Sequence, residues 1–368
     1  MILIDFSSII HRMVHVSVSN AKPAKKDGKF VTSDFAGLLK YYILQDLFNV
    51  SQEHKANFGD IVICLDNGLG GYWRRDVYHA YKANRKPGRD ESEIEYKEVF
   101  EDLAHLINEL KNNVPWKVID VPRAEADDIM LVLAREYGKY EKVLIHSPDK
   151  DLIQAQKDNE GVFQYSSLTK KWLVPENKHD HMEQWLQEHV VLGDAGDNVP
   201  KVVDHTEFSE TFLEYLSKNG HEDINSPIKF KESNITKDAR VQLLENFNVF
   251  KLNRKKESTG VKDVYKDIRF GPATLKKEIT KHGSIEKWLD THPMYRDHYK
   301  RNAVLVLEDG IPTDIWNESI LQFKEAKTDY NDVAFEEYLK ANNLKSILLE
   351  LPNHFKINRD LTAADFGW

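Results

Sequence analysis

Two acidic stretches constrain this chain more than any other feature: Arg123-Ala-Glu-Ala-Asp-Asp128 and Ser147-Pro-Asp-Lys-Asp151. The first predicts the start of a helix. Glu125 and Asp128 are three apart and share a face, Asp127 sits beside them, and Ile129, Leu131, Val132 and Leu133 supply a buried apolar stripe. The second predicts the end of a strand, because Lys142-Val-Leu-Ile-His146 is short and apolar and stops at Ser-Pro. Asp149 and Asp151 then emerge at its carboxyl end. Five carboxylates at two adjacent element ends repel one another wherever water is partly excluded, so the space between them calls for cations. Hard divalent ions with oxygen ligands suit it.

Other runs repeat the pattern. Met1-Ile-Leu-Ile-Asp5 and Asp60-Ile-Val-Ile-Cys-Leu65 are short and apolar, and each is followed or closed by an acid, Asp5 and Asp66. Buried parallel strands deliver side chains to their carboxyl ends in this way, which predicts an α/β fold with a central, mostly parallel sheet flanked by helices. Alone, Asp5 reads as an N-cap or turn residue before it reads as a ligand. Residues 20–32 read as a loop, and Phe35, Leu38, Leu39, Ile43, Leu44 and Leu47 mark a helix with a broad apolar face. Gly161 to Pro175 reads as a β-hairpin in which Trp172 is a packing residue. Asp194 and Asp197, within Gly193-Asp-Ala-Gly-Asp-Asn-Val-Pro200, form either an ordinary turn or a further acidic site, since glycine lets a backbone approach a ligand closely.

The net charge of −9 argues against nucleic acid until its distribution is considered. Setting aside the nine candidate acids Asp5, Asp66, Glu125, Asp127, Asp128, Asp149, Asp151, Asp194 and Asp197 leaves acidic and basic residues equal at 51 each. From Trp73 to Arg89 six Lys/Arg oppose one Asp, and from Lys251 to Lys281 ten oppose four acids. In the first stretch a helix would place Tyr78, Tyr81, Lys82 and Arg85 on or near one face, with Arg74, Arg75 and Lys86 close by. That face is either a stacking and phosphate-binding surface or a solvated helix with inward aromatics. Helical spacing resumes from Glu93 to Lys111, so the excursion is a candidate lid or gateway. Lys276 and Lys277 follow Gly-Pro at a helix start, an arrangement suited to phosphate. The C-terminal third reads as helical core.

The remaining composition is that of a globular chain, 41% hydrophobic and 30% charged, neither disordered nor fibrous. The single cysteine, Cys64, lies in an apolar strand and has no disulfide partner. The start carries no basic, long apolar segment, and no run reaches membrane-spanning length, so the expected location is cytoplasmic, with no membrane partner.

These residues resemble the 5′-nuclease family of structure-specific nucleases, most nearly its T-even bacteriophage branch. The family's acids match in order: Asp5, Asp66, the block Glu125, Asp127 and Asp128, the pair Asp149 and Asp151, and Asp194 and Asp197. Its Tyr-Lys-x-x-Arg element matches Tyr81, Lys82 and Arg85. The resemblance implies a PIN/5′-nuclease-like α/β domain over 1–192 with a helical arch at about 72–113. It also implies a mainly helical DNA-binding domain of helix-three-turn-helix type over 193–357, carrying an insertion at about 203–267, and a tail over 358–368. It implies a metal-dependent nuclease acting near the 5′ ends of RNA or DNA in hybrid, duplex and flap structures, as exonuclease, flap endonuclease or ribonuclease H in primer removal. Two Mg²⁺ ions, replaceable by Mn²⁺, would be held by the nine acids, with Asp66, Asp127 and Asp149 central to catalysis and Lys82 and Arg85 assisting. K⁺ in the helix-three-turn-helix is a further implied ion, although the insertion interrupts that module.

Nucleic-acid contacts are expected from Arg74, Arg75, Tyr81, Lys82, Arg85, Lys86, Lys201, Lys276 and Lys277. Leu361, Phe366 and Trp368 in the tail either pack on the C-terminal helices or form a peptide that docks on a sliding clamp. A single-stranded-DNA-binding protein is another implied partner. Two rival readings are a PIN-type ribonuclease, which has fewer acids and no Tyr-Lys-x-x-Arg element, and a non-catalytic binder of DNA structures.

Overall fold

The computed structural model describes residues 1–83, 85, 92–174, 182–203, 215–222, 235–236, 239, 242–243 and 270–355. In chain order the elements used below are β1 (Ile2–Asp5), α1 (Phe6–Ala21), β2 (Lys25–Lys26), β3 (Lys29–Phe30), α2 (Ala36–Phe58), β4 (Ile61–Cys64), α3 (Arg74–Val77), α4 (Tyr96–Asn113) and β5 (Lys117–Ile119). They continue with α5 (Ala126–Tyr137), β6 (Val143–His146), β7 (Val162–Ser166), β8 (Lys171–Leu173), α6 (Met182–Leu192), α7 (Pro272–His282), α8 (Ile285–Thr291), α9 (Arg296–Val306), α10 (Thr313–Glu325), α11 (Asp332–Ala341) and α12 (Lys345–His354).

The sheet order is β5-β4-β1-β6-β7-β8, parallel except for β8. β1 lies inside it, and all four of its residues are buried because helices cover both faces. Pleating separates its side chains: Ile2 and Ile4 join the core under α1, α2 and α4, whereas Leu3 joins the core under α5 and α10. Asp5 pairs in register with Cys64, and Ile4 with His146. The parallel register therefore brings Asp5, Asp66 and Asp149 out at the same end of the sheet.

Two compact units make up the chain: residues 1–186, 196–198 and 303–368, and residues 187–195 and 199–302. The division expected at 192/193 falls inside the second of these units. α10 packs on α5, with Tyr137 and Phe323 rings 4.6 Å apart, and the Gln322 amide both accepts from and donates to the Asp120 backbone. In α12, Leu348 and Leu351 enter the core containing Phe48 and Trp116. The last helices thus belong to the α/β unit. The second unit has its own core of Val191, Val202, Val203, Phe270, Leu275, Ile285, Trp288 and Leu289. Within it, the fully buried Asn302 donates to the carbonyls of Val190 and Pro200.

Three local expectations change. Residues 25–30, read as loop, form a small hairpin around Asp27 and Gly28, both in left-handed conformation. β5 was not expected. Helix α4 forms where the helical spacing resumes, and among the described residues of the basic segment the short α3 ends where Tyr78 turns extended and Lys82 adopts φ 54°. Most of the insertion at 203–267 lies outside the described residues, as do Lys86, Leu361, Phe366 and Trp368. Among the described residues no helix is long and apolar enough to cross a membrane.

Candidate active site

Four carboxylates line one cavity of about 550 Å³ at the carboxyl end of the sheet: Asp5, Asp66, Asp127 and Asp149. Asp5, Asp66 and Asp149 are each fixed by a backbone or hydroxyl donor. Asp5 caps α1 by accepting from the Ser8 amide at 2.9 Å and also takes the Ser147 hydroxyl at 2.9 Å. Its N-cap role and its place in the cavity are therefore compatible. Asp66 accepts from the Ala126 amide at 2.7 Å, which seats it at the start of α5, where the helix dipole favours negative charge. Asp127 lies in the first turn of α5. Asp149 accepts from the Asp151 amide at 2.9 Å, and Gln164 on β7 holds the loop by donating to the carbonyls of Ser147 and Asp149.

This quartet is electrostatically uncomfortable. Burial, partly offset by the Ser8 amide and reinforced by Asp66, raises Asp5 to about 6. Burial and then Asp151 raise Asp149 to about 6. Asp127 rises well above the ordinary carboxylate range through burial and the charges of Asp149 and Asp5. Among the described residues no Lys or Arg nitrogen lies within 4 Å of any of the four. Clustered hard oxygen donors lacking a cationic partner fit a divalent ion.

Glu125, Asp128 and Asp197 face protein cations. Glu125 and Asp128 form a capping box at the start of α5, with the Glu125 amide donating to Asp128 at 2.9 Å. Both are buried. Arg74 reaches Glu125 at 3.1 Å and Asp128 at 2.8 Å, and its Nε donates to the Leu305 carbonyl at 2.9 Å. The Trp73 indole N–H donates to Asp128 at 3.0 Å. Lys82 pairs with Glu125 and approaches Asp197 to 3.4 Å, while Arg85 holds Asp197 at 2.5 Å. The Tyr81 hydroxyl bridges Glu125 and Asp197 at 2.7 and 2.8 Å.

Burial lowers the Lys82 pKa, but Glu125, Asp197 and Asp127 outweigh it, so the ammonium stays charged. Burial, with the carboxylates of Glu125 and Asp197, pushes the Tyr81 phenol up despite Arg74, which keeps it a donor.

Tyr81 is 3% exposed and Arg74 5%, so neither offers the stacking or phosphate-binding surface expected from a helical segment. That expectation is corrected: both are tied to buried carboxylates. Arg75, Lys82 and Arg85 do line the carboxylate cavity. Asp151 follows Asp149 in the 3₁₀ turn Lys150–Gln156. Lys276 and Lys277 are exposed on α7, and Lys201 is half-buried, all in the second unit. In that unit Asp194 pairs with Val199 through reciprocal backbone hydrogen bonds of 2.9 and 2.7 Å. Gly193, at φ 65°, permits this turn, because a Cβ there would stand 2.5 Å from the Val199 carbonyl oxygen.

Sequence reasoning missed Trp73, Ser147 and Gln164. Ser147 was read only as a strand terminator. Its hydroxyl serves two catalytic-end loops, and a hydroxyl beside Pro-Asp at a strand end was the available signal.

Residues 1–188 match the family model described as the 5′-3′ exonuclease, N-terminal resolvase-like domain. Ribonuclease H of Enterobacteria phage T4 is 35% identical over 179 residues, 48% of this chain and 58% of that protein. A 5′-3′ exonuclease of Buchnera aphidicola subsp. Acyrthosiphon pisum is 27% identical over 44% of this chain and 54% of that one. The chain thus spans somewhat over half the length of these two curated relatives. Among solved structures, the T5 D15 protein co-crystallised with metal ions aligns with a TM-score of 0.48 at 14% identity, over 89% of this chain and 99% of that one.

Proposed function

Because the chain belongs to the 5′-3′ exonuclease family with a resolvase-like N-terminal domain, we propose that it is a metal-dependent phosphodiester hydrolase acting near 5′ ends. Its substrates are RNA or DNA strands in RNA/DNA hybrids, duplexes and flaps, and its products carry 5′ phosphates. The observation that carries this reading is the quartet Asp5, Asp66, Asp127 and Asp149, held in one cavity with no cation in contact among the described residues. A site that disfavours its own ionised state is suited to divalent cations, as a purely structural cluster is not.

The quartet is assigned to the metal, two Mg²⁺ or Mn²⁺ ions, with Asp151, Asp194 and Asp197 as further ligands. When bound, such ions supply a water of lowered pKa and charge stabilisation for the leaving oxygen. Asp5, Asp66 and Asp149 hold their orientation through the donors described above, so little reorganisation accompanies binding. Lys82 and Arg85 line the same cavity and are assigned to charge developing on the scissile phosphate, which requires them to exchange Glu125 and Asp197 for it. The exposed Lys276 and Lys277, with Lys201, are assigned to the duplex backbone, and a K⁺ ion to the nearby turn. A sliding clamp, met through the tail, and a single-stranded-DNA-binding protein complete the proposed partners, and the proposed location is the cytoplasm.

The test is cleavage of a 5′-labelled nicked duplex bearing an RNA or DNA flap, with Mg²⁺ or with EDTA, beside Asp149→Asn. Cleavage that needs both metal and Asp149 supports the nuclease, and product lengths divide exonuclease from flap endonuclease. Metal-independent binding without cleavage would favour a non-catalytic binder instead.

A further inference from the structure

The cations around the site divide by how their charge is used. Arg74 is buried against Glu125 and Asp128, Lys82 and Arg85 are paired with Glu125 and Asp197, and Arg123 holds Asp76 at 2.6 Å. Arg75 stands apart. It lines the carboxylate cavity, its side chain is exposed, and among the described residues no carboxylate lies within 4 Å of it.

The surrounding fold keeps Arg75 uncompensated. The acid next to it in sequence, Asp76, is neutralised by Arg123, whose Nε also donates to the Gly71 carbonyl at 3.1 Å. The Arg75 guanidinium lies over the ring of Tyr72, 5.7 Å from its centre. Tyr72 in turn backs onto Gly68, its phenol atoms 3.4–3.6 Å from where a Cβ would stand. The loop beneath is braced by the Asn67 amide N–H donating to the Ala124 carbonyl and by the Asn67 side chain donating to Asp120 at 2.9 Å. A planar guanidinium seated on an aromatic face keeps its hydrogen-bond donors at the edges, where they match a phosphate bidentately.

We propose that Arg75 is a phosphate anchor: seated on Tyr72 at the cavity wall, it grips a phosphodiester next to the scissile one on the strand that enters the site. The inference rests on the nuclease reading and deepens it. Four carboxylates repel an incoming strand, and among the described residues Arg75 is the cavity cation that can meet a phosphate without first leaving a carboxylate. Its role is binding and positioning, whereas Lys82 and Arg85 act on the reacting phosphate.

The test measures anisotropy of a fluorescent 5′-flapped nicked duplex in EDTA across about 50–200 mM salt, together with kcat and KM in Mg²⁺. One phosphate contact releases about 0.7–0.9 of a counterion, so Arg75→Ala should weaken binding about five- to eightfold near 0.1 M salt and flatten the salt slope by about 0.7–0.9. KM should rise in step while kcat at saturation stays within about twofold. Arg75→Lys, which keeps the charge and loses the fork, should retain the slope yet bind more weakly than the parent. Tyr72→Leu should behave as Arg75→Lys does.

An Arg75→Ala protein with parental affinity and slope overturns the inference, as does a fall in kcat at unchanged KM. If Arg75→Lys matches Arg75→Ala in slope, the contact is not electrostatic and the proposal fails. A parent protein that neither binds nor cuts the flap removes the nuclease reading itself, whereas a parent that cuts and an inert Arg75→Ala change remove only this inference.

Discussion

Asp149→Asn should make the metal-free protein more stable while abolishing its cleavage. Lost solvation and the charge of Asp151 lift the Asp149 carboxyl from the ordinary 3.8 to about 6, but the residue is still exposed to water, which screens the charge, so its ionised form costs the fold only about 1–2 kcal/mol relative to the unfolded chain. Part of that cost is shared with Asp5 and Asp127, which repel the same charge, and asparagine keeps the oxygen that accepts from the Asp151 amide. The net gain at pH 7.5 should therefore be about 0.5–1.5 kcal/mol, or about 1–2 °C in Tm at this size. The sign with pH is fixed by the direction of the shift. An acid whose folded pKa is raised contributes most stability when protonated, and that contribution is lost as pH rises through about 6.

The gain should accordingly be greatest at pH 7.5 in EDTA and vanish below about pH 3, where the Asp149 carboxyl is neutral in both the folded and the unfolded chain. Mg²⁺ should reverse the order by raising the parent's midpoint more than the variant's. Circular-dichroism melts at the two pH values, with and without Mg²⁺, read all three effects. A variant that melts at or below the parent at pH 7.5 in EDTA would refute the reasoning, because the quartet would then be compensated by something else.

Two further outcomes follow. Arg74→Leu strands Glu125 and Asp128 as buried charges and removes the bond to Leu305, so it should cost about 3–5 kcal/mol, read as a lowered urea midpoint. Deleting residues 358–368 should abolish stimulation by a sliding clamp and leave basal cleavage intact, and unchanged stimulation would reject the tail as the docking peptide.

The sheet was legible because buried parallel strands are written as short, continuous apolar runs, and the acids after β1, β4 and β6 stand out against them. β5 was not, since three residues at a sheet edge carry little pattern. The segment around Tyr81 was misread for a different reason. Its aromatic and cationic spacing suits a helix, but the partners that decide its shape, Glu125 and Asp197, lie 43 to 116 residues away. Once Lys82 donates its amide to the Asp197 carbonyl at 2.8 Å, a left-handed turn satisfies more groups than another helical residue would. The return of α10 and α12 to the first unit is likewise a matter of long-range packing.

The acidic block shows most clearly what a pattern can and cannot convey. Residues 125–128 look like one cluster, yet a helix turns by about 100° per residue, so Glu125 and Asp128 share a face while Asp127 points elsewhere. In the folded chain the shared face is turned to Arg74 and Trp73 and closes a capping box, and Asp127 alone enters the cavity. The same helical start thus builds a neutralised pair that fixes α5 to α3 and an unneutralised carboxylate that belongs to the quartet. Stability and chemistry are separated here by one residue, and Arg74 is what makes the separation possible: without a buried cation behind α5, all three acids would press on the same site.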